Sequence, residues 1–335
     1  MKPYNQSLKF FHTFKINLFA KKIIIVKNKT SLIKIWKTCK KRNIKFILLG
    51  EGSNVLFLKN YNGIVAINKI TGITIEEQKK HWLLNVKGGV KWHSLIKYTM
   101  QKKIYGLENL ALIPGSVGSA PIQNIGAYGI EFKDICDYVD LLSLNNSKII
   151  RVYKNKCCFN YRNSIFTKKY NHNHIIYSVG IKLSKNWIPN LSYLKFNLPH
   201  YKNNITPQKI FYQICKIRKK KLPNPNKIGN AGSFFKNPIV NSKYAKKLIQ
   251  QYHNLPYYPQ KNGTIKLSAG WLINQCRLKK LSIGYARIYK KNSLVLINKN
   301  NLATANEIIT LANIIVYYVK KKFDIILKPE VNIIK

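Results

Sequence analysis

The sequence predicts an α+β protein with a domain boundary near residue 220, and three features point to it. Apolar residues change period along the chain, from the β-branched run "KIIIV" to the helical spacing of "ANEIITLANIIVYYVKKKF". A chain of 335 residues that is 46% hydrophobic has enough apolar surface for two or three domains. One Pro-, Asn- and Gly-rich stretch, "LPNPNKIGNAG", has the composition of a linker.

The elements follow in chain order. "KIIIV" reads as a strand, "SLIKIWKTCKKRN" from Ser31 as a helix, and "KFILL" and "VLFL" as strands on either side of a tight loop. "WLLNVKGG" gives a strand and turn, and "WHSLIKYTMQKK" an amphipathic helix. The loop "LIPGSVGSAPIQNIGAYG" precedes strands at "YVDLLSL" and "KIIRVY". Pro207 suits the first turn of a helix through "PQKIFYQICKIRKKK", whose apolar positions are Ile210, Phe211, Ile214 and Ile217. After the linker come short helices at "NSKYAKKLIQQY" and "SAGWLINQC", a strand at "SLVLIN", the long helix and a closing strand at "VNII". No internal repeat is evident.

The formal net charge is +48, which taken alone suggests a nucleic-acid or membrane-surface partner. Its distribution argues against a specific one. Only six of the 59 basic residues are arginine, the residue that reads bases by two-point contacts, and lysine is spread over the whole chain. A drift toward A- and T-rich codons accounts for the joint excess of Lys, Asn and Ile, and leaves weak, non-specific polyanion binding as a by-product. The six cysteines form no C-x-x-C pair and have no histidine at metal-ligand spacing, so no metal is expected. No apolar run is long enough to span a membrane, and the first residues lack a secretory leader's apolar core, so a soluble, cytoplasmic protein is expected.

Four segments carry candidate chemistry. "GEGSN", with Gly50, Gly52, Ser53 and Asn54, permits amides to turn inward as an anion nest, and equally fits a hairpin turn. Residues 113–129 combine four glycines and two prolines with the donors Ser116, Ser119, Gln123 and Asn124, in a stretch too apolar for an ordinary surface loop. Such a backbone can approach a planar or phosphorylated ligand closely. In "CCFNYRNSIF", Arg162 can hold a carboxylate in a two-point contact, or simply be the exposed neighbour of a buried Tyr161 on a strand. Glu330, in "LKPEVNII", is one of only 11 acidic residues, and either serves a site or pairs with a lysine. A further hydroxyl, Ser233, lies between the glycines and phenylalanines of "GNAGSFFKNP".

In the order "LGEGSNVLF", "GLENLALIPGSVGSAPIQNIGAYG", "CCFNYRNSIF", "KLPNPNKIGNAGSFFKNP", "LSAGWLINQC" and "LKPEV", the chain closely resembles the UDP-N-acetylenolpyruvoylglucosamine reductase (MurB) family. "WIPNLSYLKFNL", with Tyr193, resembles the substrate-closing loop of its longer subtype. The resemblance implies a two-subdomain FAD-binding fold of the vanillyl-alcohol-oxidase (PCMH) type plus a C-terminal α+β substrate domain. The corresponding ranges are 1–70, 71–220 and 221–325, with the strand at 326–335 returning to the first. It implies non-covalent FAD cradled by Gly50, Gly52, Ser53, Asn54, Gly115, Ser116, Gly118, Ser119, Gln123, Asn124, Gly126 and Tyr128. Ser233, Arg162 and Glu330 match the family's catalytic positions, and Tyr161, Tyr193, Lys221 and Asn237 its substrate contacts.

The implied activity is reduction of UDP-N-acetylglucosamine enolpyruvate to UDP-N-acetylmuramate, a step of peptidoglycan precursor synthesis, with NADPH as cosubstrate and a monomer as the working form. Ser233 would protonate carbon while Arg162 and Glu330 act where negative charge develops. Three departures stand out. Ser116 replaces the usual Thr, Lys87 occupies a turn normally built of small residues, and Lys328 and Asn332 flank Glu330 in "KPEVN". The competing readings are a basic nucleic-acid-binding protein without FAD and another FAD oxidoreductase of the same fold. The colour of the protein discriminates the first, and the Ser233, Arg162 and Glu330 set disfavours an oxidase, which needs no proton donor to carbon.

Overall fold

In a computed structural model, which describes residues 6–167, 173–192, 205–260 and 262–335, the chain forms two compact units. One is built chiefly of residues 20–52 and 62–218, the other of 7–19, 53–61 and 219–335. The chain therefore crosses between them within the two short segments 7–19 and 53–61 before leaving the first unit after Arg218.

The first unit holds a four-stranded sheet in the order Gln6–Ser7, Phe19–Val26, Tyr61–Asn68, Lys45–Leu49. Lys45–Leu49 runs parallel to Tyr61–Asn68, and the helix Lys29–Lys41 supplies the crossover that parallel strands require. That helix begins two residues earlier than the sequence suggests. Asn28, not Ser31, is its cap: Asn28 Oδ1 accepts from the Ser31 amide at 2.8 Å. Its face of Leu32, Trp36 and Cys39 is buried.

A second, five-stranded antiparallel sheet runs Ile149–Tyr153, Cys136–Ser143, His174–Ser184, His81–Lys87, Ile73–Glu77. Leu84, Val86, Val139, Leu141, Val179 and Ile181 lie in a buried cluster with Trp92, Leu95 and Ile96 of the helix Trp92–Gln101. His174–Ser184 is the centre of this sheet, yet no strand is assigned to it from sequence. Its run Val179–Ile181 is fully buried, so the polar–apolar alternation that marks a half-exposed strand is missing.

The second unit pairs Gly229–Ser233, Asn292–Asn298, Ala286–Tyr289 and Ser282–Ile283 in one sheet. The helix Ala305–Phe323 shares its core through Ile308, Leu311, Ala312, Ile315 and Val319, a spacing that places them on one helical face. The helix starts with a capping box in which Thr304 N donates to Glu307 Oε2 and Glu307 N to Thr304 Oγ1. It stops at Asp324, in the left-handed conformation at φ 46°. A small sheet of Ile239–Val240, Ile265–Leu267 and Tyr257–Pro259 and a parallel pair of Asn332–Ile334 with Val55–Phe57 complete the unit. The closing strand thus returns to a segment from the chain's first 70 residues.

Candidate functional site

Each unit organises part of the candidate set. The loop "GEGSN", along which the chain passes from the first unit to the second, follows Lys45–Leu49, which pairs with Tyr61–Asn68, whereas Val55–Phe57 pairs with Asn332–Ile334. The two flanking strands do not pair, so the segment is not a hairpin turn. Gly52 takes φ 58°, and a Cβ on Gly50 would collide with Ser116 Oγ. Glycine at 50 is therefore what lets the loop lie against Ser116, bringing together two segments far apart in sequence. With Gly52 in the left-handed conformation the segment takes the backbone form in which an anion nest can be built. Lys69 pairs with the Glu51 carboxylate, and Lys91 approaches its other oxygen at 3.7 Å.

Residues 113–129 are held from within. Val117 N donates to Val90 O at 2.8 Å, Gly118 N to Gly88 O at 2.9 Å, Ser119 N to Ser116 O and Ala120 N to Val117 O. These four amides are committed to the protein, so the glycines here serve close packing rather than donation. A Cβ on Gly118 would lie 3.0 Å from both Gly88 Cα and O. Ser119 Oγ accepts from the Ser116 amide and donates to its carbonyl. Gly115, at φ 132°, ends the stretch that hydrogen-bonds Trp92 N. Gly126–Ala127 pairs with Ile130–Glu131 across Tyr128 (φ 48°) and Gly129 (φ 87°), a two-residue turn with both central residues left-handed.

Asn124 is fully buried, and its amide is consumed structurally. Its Nδ2 donates to Glu131 Oε2 at 3.0 Å and to Asn160 O at 3.2 Å, and its Oδ1 accepts from Lys133 N at 2.9 Å. Asn124 therefore positions the loop. Tyr161 and Arg162 do not lie on a strand, which corrects the bland reading of that pair. Asn160 and Asn163 pair around them, Arg162 sits at φ 48°, and Arg162 Nη2 donates to Gly126 O at 3.1 Å. Ser164 Oγ, donating to Ile122 O at 2.7 Å, adds a further tie to the same loop. Tyr193 lies outside the described residues, but the segment before it is anchored: Asn190 Nδ2 donates to Gly129 O, and Asn109 Nδ2 to Asn190 O and Tyr128 O. Lys87 ends a strand rather than sitting in a turn, with its Nζ 4.2 Å from the centre of the Tyr177 ring.

Sequence reasoning missed three residues that shape this unit. Glu108 is buried and accepts from Gly106 N at 2.6 Å and from the Trp187 indole; burial raises its pKa against those bonds. Asn109 is the double donor just described. Arg218, in the last turns of the helix Pro207–Lys221, has a buried Nε with no hydrogen-bond partner among the described residues. Burial weakens its charged form, and Tyr128 partly restores it. The signal for Arg218 was scarcity: it is one of six arginines in a lysine-rich chain.

In the second unit, Ser233 ends the strand Gly229–Ser233 opposite Val295, after a register break between Asn230 and Ser233. Gly232, at φ 71°, makes that break, and Asn230 Oδ1 accepts its amide at 3.0 Å. Phe234 and Phe235 are 1% exposed, with ring centres 5.1 Å apart, so they anchor the segment as expected. Glu330 N donates to Phe234 O at 2.7 Å, Phe235 pairs with Pro329, and Lys236 N donates to Lys328 O at 2.9 Å. Ser233 and Glu330 are thereby set on adjoining extended segments, although about a hundred residues separate them in sequence. Asn54 clips the same place: its Nδ2 donates to Glu330 O at 3.2 Å, and its carbonyl accepts from Asn332 N at 3.0 Å. Asn237 Oδ1 accepts from Ala269 N, at the start of the helix Ala269–Gln275, and Lys221 is exposed at the end of its own helix.

The close-packed glycine loops of the first unit, and Ser233 and Glu330 on adjoining segments of the second, fit the class to which the comparisons assign the chain, a flavin-binding oxidoreductase with an added α+β domain. Residues 20–153 match the FAD binding domain family, and residues 224–334 match the family described as UDP-N-acetylenolpyruvoylglucosamine reductase, C-terminal domain. The chain is 66% identical over 334 residues to the UDP-N-acetylenolpyruvoylglucosamine reductase of Buchnera aphidicola subsp. Baizongia pistaciae, across 100% of both chains. It is 46% identical over 330 residues to that of Pasteurella multocida, covering 98% of this chain and 96% of the relative. The crystal structure of the reductase from Thermus caldophilus matches with a TM-score of 0.68 over 98% of each chain at 21% identity, a likeness of fold. The chain belongs to the UDP-N-acetylenolpyruvoylglucosamine reductase family. The reading as a nucleic-acid binder without FAD is set aside by this membership.

Proposed function

We propose that Arg162, Ser233 and Glu330 divide the proton and charge work of an NADPH-dependent, FAD-containing reductase that converts UDP-N-acetylglucosamine enolpyruvate to UDP-N-acetylmuramate. Full-length identity of 66% to a reductase of that name supports the activity, and the bond from Glu330 N to Phe234 O, which puts Ser233 and Glu330 on adjoining extended segments, supports the roles. The finer assignments belong to the same proposal: a monomer acting in the cytoplasm, with flavin held by residues 1–220 and the sugar nucleotide by 221–325. Among the described residues no helix is long and apolar enough to cross a membrane.

The chain fits FAD along the "GEGSN" loop and the backbone of 115–128, where a side chain on Gly50 would collide with Ser116 and one on Gly118 with Gly88. The bound flavin supplies hydride taken from NADPH. Everything else falls to side chains. Hydride arriving at the enol ether's terminal carbon leaves negative charge on the adjacent carbon and its carboxylate. Arg162 pairs with that carboxylate through its fork of donors. Glu330 shares a proton with the same developing charge. Ser233 Oγ then gives a proton to carbon. Its hydroxyl makes no hydrogen bond among the described residues, so its direction is set by Gly232 behind it and the buried Phe234 ahead. Tyr161, Tyr193, Lys221 and Asn237 hold the sugar and diphosphate, and Arg218 adds a second guanidinium beside Tyr128.

Separating the two half-reactions tests this. NADPH oxidation protonates no carbon, so Ser233→Ala should bleach the flavin at a near-normal rate under anaerobic stopped flow. Reoxidation by the enolpyruvyl sugar should slow by about 10²- to 10⁴-fold, the usual loss for a positioned acid. Reoxidation at the parent rate would remove Ser233 from its role.

A further inference from the structure

The loop 113–129 is tied at its start to the first turn of the helix Trp92–Gln101, and the ties come in sequence. Val117 N donates to Val90 O at 2.8 Å, Lys91 and Ser116 form an antiparallel bridge, and Trp92 N donates to Gly115 O at 2.9 Å. There the main-chain pairing ends, because Pro114 has no N–H to continue it. A side chain takes over. The Leu112 amide donates to Nδ1 of His93 at 3.1 Å. Trp92 Nε1, donating to Leu110 O at 3.2 Å, secures the chain just before. Residues 112–115 thus form a corner held at both ends by Trp92 and His93.

Both ends of that corner take positive φ, 57° at Leu112 and 132° at Gly115. Glycine adopts such a backbone without strain, whereas a bulky residue like leucine is strained in it. The conformation of Leu112 therefore depends on a bond from outside the corner, and the half-buried His93 ring supplies it. The ring is itself oriented. It stacks on Phe211 of the helix Pro207–Lys221, with ring centres 5.8 Å apart and planes 4° from parallel. A backbone amide can only donate, so Nδ1 is the acceptor and the neutral ring carries its hydrogen on Nε2.

We propose that His93 is a positioning residue for the flavin: by accepting the Leu112 amide it holds the strained corner that carries Gly115 and Ser116 to the cofactor. The proposal rests on the reading of residues 113–129 as the flavin's cradle. His93 acts through Leu112 and not on the flavin itself. Without the acceptor, the Leu112 amide becomes an unmatched donor and its backbone relaxes toward negative φ. Ile113, Pro114 and Gly115 then shift with it, at the place where Gly50 lies against Ser116.

Two substitutions separate the acceptor from the ring. Phenylalanine keeps a ring to stack on Phe211 and has no acceptor. Asparagine gives up the stack, but its Oδ1 stands where Nδ1 stands and accepts the amide. Each is made in the FAD-loaded full chain, and release of FAD on dilution is followed by the fluorescence of the freed flavin at about pH 8, where an ordinary histidine is neutral. His93→Phe should raise the Kd for FAD about 10-fold, the loss expected when a hydrogen bond is removed and its donor left unmatched. His93→Asn should stay within about 3-fold of the parent, because the bond is kept. A role in packing alone gives the opposite order, so tight binding in His93→Phe, or equal loss in both variants, would overturn the proposal. A parent chain that binds no flavin would instead remove the cradle reading on which it rests. The unaltered, FAD-loaded enzyme gives a reading that needs no variant to fold. Heteronuclear NMR of the histidine-labelled protein, with His93 assigned by its contact with Phe211, should show the hydrogen on Nε2; a hydrogen on Nδ1 would also overturn the proposal.

Discussion

Arg162 owes its position to a backbone conformation that its residue type disfavours. At φ 48° it pays local strain, and the bond from Nη2 to Gly126 O fixes one edge of the guanidinium. A lysine at 162 keeps the charge and loses the fork. Arg162→Lys should therefore lower kcat/KM for the enolpyruvyl sugar by about 10²-fold, consistent with about 2–5 kcal/mol for breaking a hydrogen-bonded charge pair, while flavin reduction by NADPH stays near normal. Equal loss in both half-reactions would place Arg162 at the cosubstrate instead. A different residue governs acid stability. His12 is 3% exposed, its Nε2 donates to Ile16 O at 3.2 Å, and burial lowers its pKa to about 4. The unfolded chain, with a histidine near the usual ~6.5, then binds more protons than the native one as pH falls from 6.5 toward 4. His12 thus costs no stability above that window and up to about 3 kcal/mol below it. Urea midpoints across pH 4–7 should show this slope in the parent and a smaller one in His12→Gln; parallel curves would clear His12. The residue types at 162 and 233 were legible in the sequence as chemistry. His12 was not, because burial is a property of the packed chain.

At the scale of elements, legibility followed solvent exposure. The helix Ala305–Phe323 has one wet face and one dry face, and its 3.6-residue period and caps survive in the sequence. The central strand His174–Ser184 is covered along Val179–Ile181, and the pattern that would reveal it disappears. Short strands such as Tyr257–Pro259 and Ala286–Tyr289 exist only through their pairing partners, which no local window contains. The loop 113–129 was found by its glycines, but its internal bonding reverses part of the reason. Amides 117–120 are spent on the protein, so Gly118 is required by the approach of Gly88 rather than by a ligand's need for donors. Gly118→Ala therefore tests packing of the cofactor loop directly. A Cβ 3.0 Å from Gly88 Cα and O must push the two backbones apart, at about 1–3 kcal/mol for overpacking. The variant should hold less FAD per chain after gel filtration and melt earlier than the parent. Full flavin content with an unchanged melting point would show that the loop yields without cost.

For the whole molecule, the +48 charge acts through its distribution. Among the described residues, Glu51, Glu131, Asp140 and Glu77 hold Lys69, Lys133, Arg151 and Lys185, but acidic groups are too few to reach most lysines. The uncompensated lysines repel one another in the compact state, and the unfolded chain relieves that repulsion by spreading. Screening reduces the penalty, because the Debye length falls from about 30 Å at 0.01 M salt to about 8 Å at 0.15 M. The melting temperature should therefore rise between roughly 20 and 200 mM sodium chloride, with and without FAD. The same lysines should bind nucleic acid of any sequence at low salt and release it steeply across that range, because each phosphate neutralised frees a counterion. Both effects come from one charge distribution and should move together: reversing a dozen exposed lysines to glutamate, away from 50–54, 113–129 and 221–237, should flatten both salt dependences. Turnover should survive, since none of the proposed catalytic groups is touched. A surface-reversed protein that melts with the parent's salt dependence would show that self-repulsion is not what salt relieves, and binding that stays sequence-selective at high salt would require a built nucleic-acid site.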